Sequence, residues 1–362
     1  MLFPETPEEL AAQLAEASAK GQSISLRGNS TKERMGGPIS DADAVISTAK
    51  LNRVLQYEPR DLTISVEAGI SYRELSRVLA QHQQMVPLDP PFSSRATVGG
   101  IVAANASGPR RRLYGTARDM VIGMTFATLE GKLIRSGGMV VKNVAGLDMG
   151  KLMIGSFGTL AAMAVLNFRV HPMPVGTRTF AADFKDARDA MAARDLVLKS
   201  QLQPAAIDLL KSDAGHRLAI QAEGSAAVLD RYSRELEWAQ PVEGAEEEAW
   251  WEDIREFSPR FLAKHEDGVV VRVPCALSEV GQVMESAAVP ALARAGSGVC
   301  WGYYSHVPHL PESGVIEFAP QRIRETVELW PQPGSDFAMM KKIKQMFDPQ
   351  CLLNRGRLYG RI

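Results

Sequence analysis

Length, composition and charge describe a folded chain without a strong electrostatic bias. The sequence has 362 residues, of which 45% are hydrophobic, and 41 basic residues balance 42 acidic ones for a net charge of −1. This composition excludes a disordered chain. The near-neutral charge argues against a nucleic-acid partner, which requires a basic surface. The length predicts two domains, or one large and one small domain.

Cysteine spacing and hydropathy bear on metal content and location. Cys275, Cys300 and Cys351 are far apart and form no CxxC pair, so we expect neither a zinc site nor an iron–sulfur cluster in this chain. Such sparse cysteines are typical of a reducing compartment. The start is acidic and amphipathic, unlike a signal peptide, and no apolar run approaches the roughly 18 residues of a membrane span. We therefore expect a soluble cytoplasmic protein that could lie on a membrane through a partner.

The first half of the chain alternates helices and β-rich runs. Thr6, followed three residues later by Glu9, predicts the N-cap of a helix that stops at Gly21. The runs "SISL" and "LTISVEAG" predict strands. The small, apolar stretch "TVGGIVAANASG" predicts a short helix packed closely against a flat neighbour. Two β-rich runs joined at Glu130-Gly131 predict a hairpin.

The pattern changes after residue 175. Strand and helix signals follow in the order β-α-β-β-α-β and end in "GVVVRVP", which predicts a ferredoxin-like antiparallel sheet with helices on one side. The tail reads as a helix stopped by a proline, followed by a basic arm. We therefore predict domains over 1–175 and 176–330, with 331–362 as a C-terminal helix and arm.

A glycine-rich loop at 27–37, "RGNSTKERMGG", follows the first strand. It lacks the GxGxxG pattern of doubly wound dinucleotide-binding folds. The nearest match to a P-loop, "GLDMGKL" at 146–152, is one residue short and has Leu where a magnesium-binding hydroxyl belongs. Two interpretations stay open: a nest of backbone N–H groups that holds an anion with help from Asn29, Ser30 and Thr31, or an ordinary surface turn.

Two further glycine-rich segments favour the anion-binding interpretation. "PLDPPFSSRATVGGIVAANASG" and "KLMIGSFGTLAAM" both lie among strands within the same half of the chain. Glycine lets a backbone approach a ligand closely, and small side chains leave room for a flat ring. The three segments together predict one large ligand with a diphosphate and a planar ring.

These motifs, in this order and with "YGTARDMVIGM" between them, resemble FAD-binding oxidoreductases of the vanillyl-alcohol-oxidase or PCMH type, and among them the FAD-binding subunits of bacterial glycolate oxidases. The resemblance implies an α+β fold: a PCMH-type FAD-binding domain of two α+β subdomains, then a reduced antiparallel ferredoxin-like cap, with the C-terminal arm returning to the FAD domain. It implies FAD contacts from residues of all three segments, namely Gly28, Asn29, Ser30, Thr31, Lys32, Thr97, Gly99, Gly100, Ala104, Asn105, Gly108, Gly155, Ser156, Thr159 and Ala161.

The resemblance also implies how the flavin is held and used. Some relatives attach FAD covalently through a histidine of the first loop, but residues 27–37 contain none, so we expect noncovalent FAD. The implied function is that of the FAD-binding subunit of a glycolate oxidase complex that oxidises 2-hydroxy acids. The implied partners are a paralogous FAD-containing catalytic subunit and an iron–sulfur subunit. Two alternatives are a self-sufficient FAD-dependent D-2-hydroxy-acid dehydrogenase and a structural subunit with a degenerate FAD site.

No residue is identified as catalytic by sequence, and no metal is expected. Catalytic relatives carry two histidines around Asp-Gly-Asn in the cap, whereas "GSGVCWGYYSHVPHL" has only His306 and His309. These could act as a base beside walls formed by Trp301, Tyr303 and Tyr304, or be exposed loop histidines beside strand aromatics. Three other sets of residues have no assigned chemical role. The basic cluster Arg110, Arg111 and Arg112 could bind phosphate or an acidic partner surface, or be solvated loop charge. Arg355 and Arg357 resemble a family tail that returns to the flavin region, or belong to a solvated arm, and Lys142, Asn143 and Asp148 match family positions where such residues more often cap helices or support loops.

Overall fold

The computed structural model describes residues 1–39, 41–139, 148–360 and 362. These residues form two compact units. The first unit comprises Met1–Ser107, Thr116–Met173 and Arg324–Ile362, and the second comprises Gly108–Gly115 and Pro174–Ile323. Lys142 and Asn143 lie outside the described residues. Within the described part of the chain, every helix is too short or too polar to span a bilayer.

The strands of the described chain are, in order, β1 (Ile24–Arg27), β2 (Ala44–Ser47), β3 (Val54–Glu58), β4 (Thr63–Glu67), β5 (Gln84–Met85), β6 (Val121–Ala127), β7 (Leu133–Gly137), β8 (Ala162–Arg169), β9 (His171–Pro172), β10 (Gly176–Phe184), β11 (Ala206–Ser212), β12 (Gly215–Gly224), β13 (Gln240–Val242), β14 (Val269–Pro274), β15 (Ala291–Arg294), β16 (Val299–Tyr304) and β17 (Val315–Phe318).

The α-helices are α1 (Pro7–Ala19), α2 (Tyr72–Ala80), α3 (Val98–Ala103), α4 (Arg111–Tyr114), α5 (Ala117–Met120), α6 (Gly150–Met153), α7 (Ala187–Lys199), α8 (Ala226–Glu235), α9 (Gly244–Arg255), α10 (Phe257–Lys264), α11 (Val280–Ser286), α12 (Gln321–Thr326) and α13 (Phe337–Phe347).

The first unit is built on a five-stranded antiparallel sheet in the order β3-β4-β8-β6-β7, with the parallel pair β1-β2 as a separate small sheet. The predicted hairpin is present as β6 and β7. Helix α1 begins as predicted, because the hydroxyl of Thr6 accepts the N–H of Glu9 at 3.1 Å. Its buried face, including Leu10 and Leu14, joins one hydrophobic core with β1, β2 and Leu353 of the tail. The C-terminal arm is therefore part of the core of the first unit.

The second unit contains an eight-stranded antiparallel sheet in the order β13-β10-β12-β11-β15-β16-β14-β17. Its first half, β10-α7-β11-β12-α8-β13, has the ferredoxin-like order that the sequence predicts. The fourth strand of that half is β13, however, and "GVVVRVP" instead forms β14, which begins a second half. The sequence signal missed β13 because its "QPV" has only one β-branched residue.

The second half of this sheet repeats the strand arrangement of the first. In it, β14, α11, β15, β16 and β17 have the same spatial order as β10, α7, β11, β12 and β13, and the halves join where β11 pairs with β15. The connection between β16 and β17 contains no helix. The sequence shows no internal repeat, so this duplication of topology is visible only in the structure.

Candidate functional site

A cavity in the first unit lies where the three glycine-rich segments and the tail converge. It is lined by residues of β1 and the loop that follows, by α3, by Phe157 and by the tail from Leu352 to Arg357. Eight of the predicted cofactor residues line it: Gly28, Asn29, Ser30, Thr31, Lys32, Thr97, Gly100 and Ala104.

The loop after β1 presents unused backbone donors. Within the described residues, the amide N–H groups of Asn29, Ser30 and Thr31 donate to no protein acceptor. Ser30 has a left-handed backbone with φ of 57°, as in nests that hold anions. The side chain of Asn29 fixes the loop by donating to the carbonyl of Arg95 at 2.9 Å. The loop therefore has the donors that an anionic group requires.

Gly28 is required by a close approach between the first and second segments. A Cβ at this position would lie 2.3 Å from the hydroxyl oxygen of Thr97. That hydroxyl is the N-cap of α3 and accepts the N–H of Gly100 at 3.2 Å. Any side chain at Gly28 would thus displace either the loop or the start of the helix.

Gly99 has a packing role away from the cavity. Its N–H donates to the carbonyl of Ala68 at 2.7 Å, and a Cβ there would lie 2.9 Å from both the Ala68 Cβ and its carbonyl oxygen. The adjacent Gly100 lines the cavity instead. Gly99 therefore faces the packed side of α3 and Gly100 faces the cavity. The contact at Gly99 agrees with the close packing predicted for "TVGG".

The third segment contributes only Phe157 to the cavity wall. Ser156 is buried, donates to the carbonyl of Met153 at 2.8 Å and accepts the N–H of Gly158. The hydroxyl of Thr159 donates back to Ser156 at 2.8 Å. These polar groups satisfy one another, so they stabilise the turn. The predicted residues absent from the cavity lining are Gly99, Asn105, Gly108, Gly155, Ser156, Thr159 and Ala161, and Gly108 belongs to the second unit.

Asn354 in the tail joins two walls of the cavity. Its side-chain oxygen accepts the N–H of Leu26 in β1 at 2.8 Å, and its side-chain nitrogen donates to the carbonyl of Phe157 at 2.8 Å. Sequence reasoning missed this residue and singled out only its neighbours Arg355 and Arg357. Asn354 has a left-handed backbone with φ of 45°. Asparagine adopts this conformation more readily than most residues, so its presence in "NRGR" could have indicated a special backbone position.

A buried ion pair holds the tail in place. Lys344 in α13 donates to the carboxylate of Asp348 at 2.7 Å and to the carbonyl of Thr159 at 2.7 Å. Asp348, fully buried, also accepts the backbone N–H groups of Leu352 and Leu353. The pair was not predicted, because nothing in "KQMFDPQ" distinguishes a buried lysine from the exposed ones of the same helix.

Basic side chains surround the loop. Arg357 lines the cavity and donates to the carbonyl of Gly37 at 2.8 Å. Arg324 donates to the same carbonyl at 2.8 Å. Burial lowers the pKa of each guanidinium to about 10, and the mutual repulsion with a neighbouring arginine adds to this lowering of the pKa. Both stay protonated at neutral pH. Lys32, also in the lining, lies 5.9 Å from the ring centre of Phe92.

In the second unit, the candidate histidines and aromatic residues have the arrangement of exposed loop histidines beside strand aromatics, whereas the candidate arginines are not the solvated loop charges of one interpretation. His306 and His309 are exposed and lie outside the strands, whereas Trp301 and Tyr303 are buried in β16. Arg110 pairs with Glu223 at 2.7 Å, and Arg111 and Arg112 are partly buried, so this basic cluster is not a solvated loop. In the first unit, Asp148 accepts the N–H of Lys151 and supports the start of a helical turn.

Comparison with known proteins gives matches at both ends of the chain. Residues 1–137 match the FAD binding domain family, and residues 332–358 match the C-terminal domain of FAD linked oxidases. Glycolate oxidase subunit GlcE of Escherichia coli is 30% identical over 257 residues, which is 71% of this chain and 70% of that protein.

Other relatives are matched over a smaller share of their length. Glycolate oxidase subunit GlcD of Bacillus subtilis is 27% identical over 58% of this chain and 45% of its own. A D-lactate dehydrogenase of Archaeoglobus fulgidus is 29% identical over 62% of this chain and 52% of its own. A solved structure of alkyldihydroxyacetonephosphate synthase superposes on 97% of this chain with a TM-score of 0.72 at 18% identity. That likeness, together with the match to the FAD binding domain family, confirms the predicted α+β FAD-binding fold.

Proposed function

Because the chain belongs to the FAD-linked oxidase family that includes glycolate oxidase subunit GlcE, we propose that it is the FAD-binding subunit of a complex that oxidises glycolate or a similar 2-hydroxy acid to the 2-oxo acid. FAD is the cofactor of this family, and when bound it accepts two electrons from such a substrate. The observation that carries the proposal is the first-unit cavity, whose free amide donors and basic side chains suit an anionic dinucleotide.

We propose that the loop after β1 holds the diphosphate of FAD. The N–H groups of Asn29, Ser30 and Thr31 would donate to its oxygens, and the charges of Lys32 and Arg357 would offset its negative charge. Gly100 and Ala104 present little side chain to the cavity and would leave room for a planar ring. The other predicted residues would act through the shape of the segments, since their polar groups are bonded within the protein.

The attachment of FAD is proposed to be noncovalent. Residues 27–37 contain no histidine or cysteine that could form a bond to the isoalloxazine ring. Denaturation in trichloroacetic acid should therefore release all of the flavin into the supernatant. Yellow colour that stays with the precipitated protein would contradict this part of the proposal.

The proposed partners are a paralogous FAD-containing catalytic subunit and an iron–sulfur subunit, which would take the electrons onward. The names of the GlcE and GlcD relatives as subunits support an assembly of this kind. We further propose that the assembly is cytoplasmic and lies at the inner membrane through its partners. Cell fractionation of the co-expressed subunits tests this location.

The similarity to D-lactate dehydrogenases favours one second candidate, a self-sufficient FAD-dependent D-2-hydroxy-acid dehydrogenase. Anaerobic titration of the purified chain with glycolate or D-lactate separates the candidates. If the flavin bleaches in the isolated chain, the second candidate is correct. If bleaching requires the co-expressed partners, the subunit proposal is supported. A chain that takes up no FAD under either condition would indicate a degenerate site.

A further inference from the structure

Three arginines of the second unit lie together on one face of its sheet. Arg272 of β14 is directly opposite Trp301 of the neighbouring strand β16. On the other neighbour of β16, strand β15, Leu292 is opposite Trp301, and Arg294 lies two residues after Leu292. Residues directly opposite one another, or two apart on a strand, share a face of a sheet. Arg111 of α4 adds a third guanidinium, because α4 packs on β11, the strand that pairs with β15. Burial lowers the pKa of Arg111, and the positive charges of Arg294 and Arg272 lower it further.

Arg294 is the most buried member, with 6% of its surface exposed. Its guanidinium donates to Asp208 of β11 and lies 5.2 Å from the ring centre of Trp301. Within the described residues its Nε, which is buried, has no hydrogen-bond acceptor. A buried guanidinium nitrogen without an acceptor is costly, and an anionic or carbonyl oxygen beside it would remove that cost.

The three arginines carry more positive charge than the carboxylates paired with them carry negative charge. Arg272 has one carboxylate nearby, that of Glu317 at 3.4 Å, and Glu317 also accepts the indole N–H of Trp301 at 2.6 Å. The side chain of Arg111 donates to no acceptor among the described residues. Among the described residues, the carboxylates paired with these guanidinium groups are therefore Asp208, with Arg294, and Glu317, with Arg272. Burial raises the pKa of Glu317, and the charges of Arg272 and Arg294 act in the opposite direction.

The backbone that carries Arg111 is fixed on the sheet. Arg110 donates to one carboxylate oxygen of Glu223 at 2.7 Å, and the hydroxyl of Tyr114 donates to the other at 2.6 Å. Glu223 lies on β12, so both ends of α4 are anchored to a strand. The position of Arg111 is thus set before any ligand arrives, as a preorganised site requires.

We infer that Arg111, Arg272 and Arg294 form a binding site for the carboxylate of a small organic acid. This inference rests on the proposed function for the identity of that acid as a 2-hydroxy acid. A guanidinium matches the two oxygens of a carboxylate, and one carboxylate balances the surplus positive charge. Trp301 and Tyr303, buried on the same strand, form an apolar boundary that limits the size of the ligand.

Calorimetric titration of the FAD-loaded chain with oxalate, which the flavin cannot oxidise as a 2-hydroxy acid, tests the site. Wild type should bind one equivalent. Arg111→Gln and Arg272→Gln should each weaken binding at least tenfold, whereas Arg111→Lys should retain part of the affinity. Arg217→Gln is the matched control, because Arg217 is an exposed arginine of β12 in the same sheet, paired with Asp183. It should bind oxalate within twofold of wild type.

Two results would overturn the inference: no oxalate binding by wild type, or unchanged affinity in both Arg111→Gln and Arg272→Gln. Far-UV circular dichroism establishes that each variant is folded, and the use of two separate arginines keeps the test valid if one variant unfolds. The outcome is distinct from that of the proposed function. A wild-type complex whose flavin is reduced by neither glycolate nor D-lactate refutes the proposed function, while oxalate affinities decide the arginine site.

Discussion

The first and third glycine-rich segments have similar composition but differ in where their polar groups form hydrogen bonds. In the first, the amide donors of Asn29, Ser30 and Thr31 line the cavity and have no acceptor in the part of the chain that the structure describes. In the third, the polar groups of Ser156 and Thr159 are bonded to the segment itself and are buried. Glycine, serine and threonine therefore build a ligand surface in one place and a rigid support in the other. The difference arises from what each backbone is bonded to, which composition does not reveal.

The largest expected effect is on the free energy of unfolding, at the buried Lys344–Asp348 pair that links the tail to the third segment. Lys344→Met removes the partner of the buried Asp348 carboxylate, so the free energy of unfolding should fall by about 3–5 kcal/mol. Lys342→Met, in the same helix but exposed, should change it by less than about 0.5 kcal/mol. Urea denaturation followed by circular dichroism measures both. Equal stabilities of the two variants would show that the buried pair does not hold the tail.

The next effect concerns the ligand surface itself. Gly28→Ala places a Cβ against the hydroxyl of Thr97, so the loop must move and FAD affinity should fall at least tenfold, about 1.4 kcal/mol. Fluorescence titration of the flavin-free protein measures this affinity. Gly281→Ala, in α11 of the second unit, is the control and should leave it unchanged. Normal FAD affinity in Gly28→Ala would contradict the assignment of the loop to the cofactor.

A smaller effect distinguishes the third segment from the first. Ser156→Ala removes two internal hydrogen bonds, so the free energy of unfolding should fall by about 1 kcal/mol while FAD affinity stays within twofold. Ser335→Ala, at an exposed position, should alter neither quantity. If Ser156→Ala instead weakened FAD binding tenfold without loss of stability, the segment would be a direct ligand contact and the comparison would fail.

The smallest effect is a proton count. Burial lowers the pKa of Arg357 to about 10, and a bound diphosphate would raise that pKa because it favours the charged guanidinium. FAD binding should therefore take up a fraction of a proton near pH 10 and none at this group near pH 7.5. Calorimetry in two buffers of different ionisation enthalpy measures the uptake. Arg357→Gln should reduce it, and the exposed Arg60→Gln should not. Equal uptake in both variants would separate Arg357 from the diphosphate.

The sequence predicted the elements whose signals are local. The cap at Thr6, the hairpin through Glu130 and Gly131, and the ferredoxin-like first half of the second unit are all present, since each depends on neighbouring residues. The second half of that sheet was missed because "GVVVRVP" looks the same as the last strand of one motif or the first strand of another. Long-range pairing decides between these possibilities.

The site could be predicted only as far as its motifs reach. The loop residues Gly28 to Lys32 line the cavity, but Asn354 and the Lys344–Asp348 pair act across more than 180 residues of sequence. Such contacts leave no periodic or local signature. The same holds for Arg111, Arg272 and Arg294, which are brought together by strand order. The sequence shows how many basic residues the chain has, but only the fold determines which of them are neighbours in space.

The most direct test of the central claim is an experimental structure of the protein with FAD bound. The account predicts that oxygens of the FAD diphosphate lie within hydrogen-bond distance of the amide N–H groups of Asn29, Ser30 and Thr31, with no covalent bond from the chain to the flavin. A diphosphate bound elsewhere, with these three amides open to solvent, would contradict it.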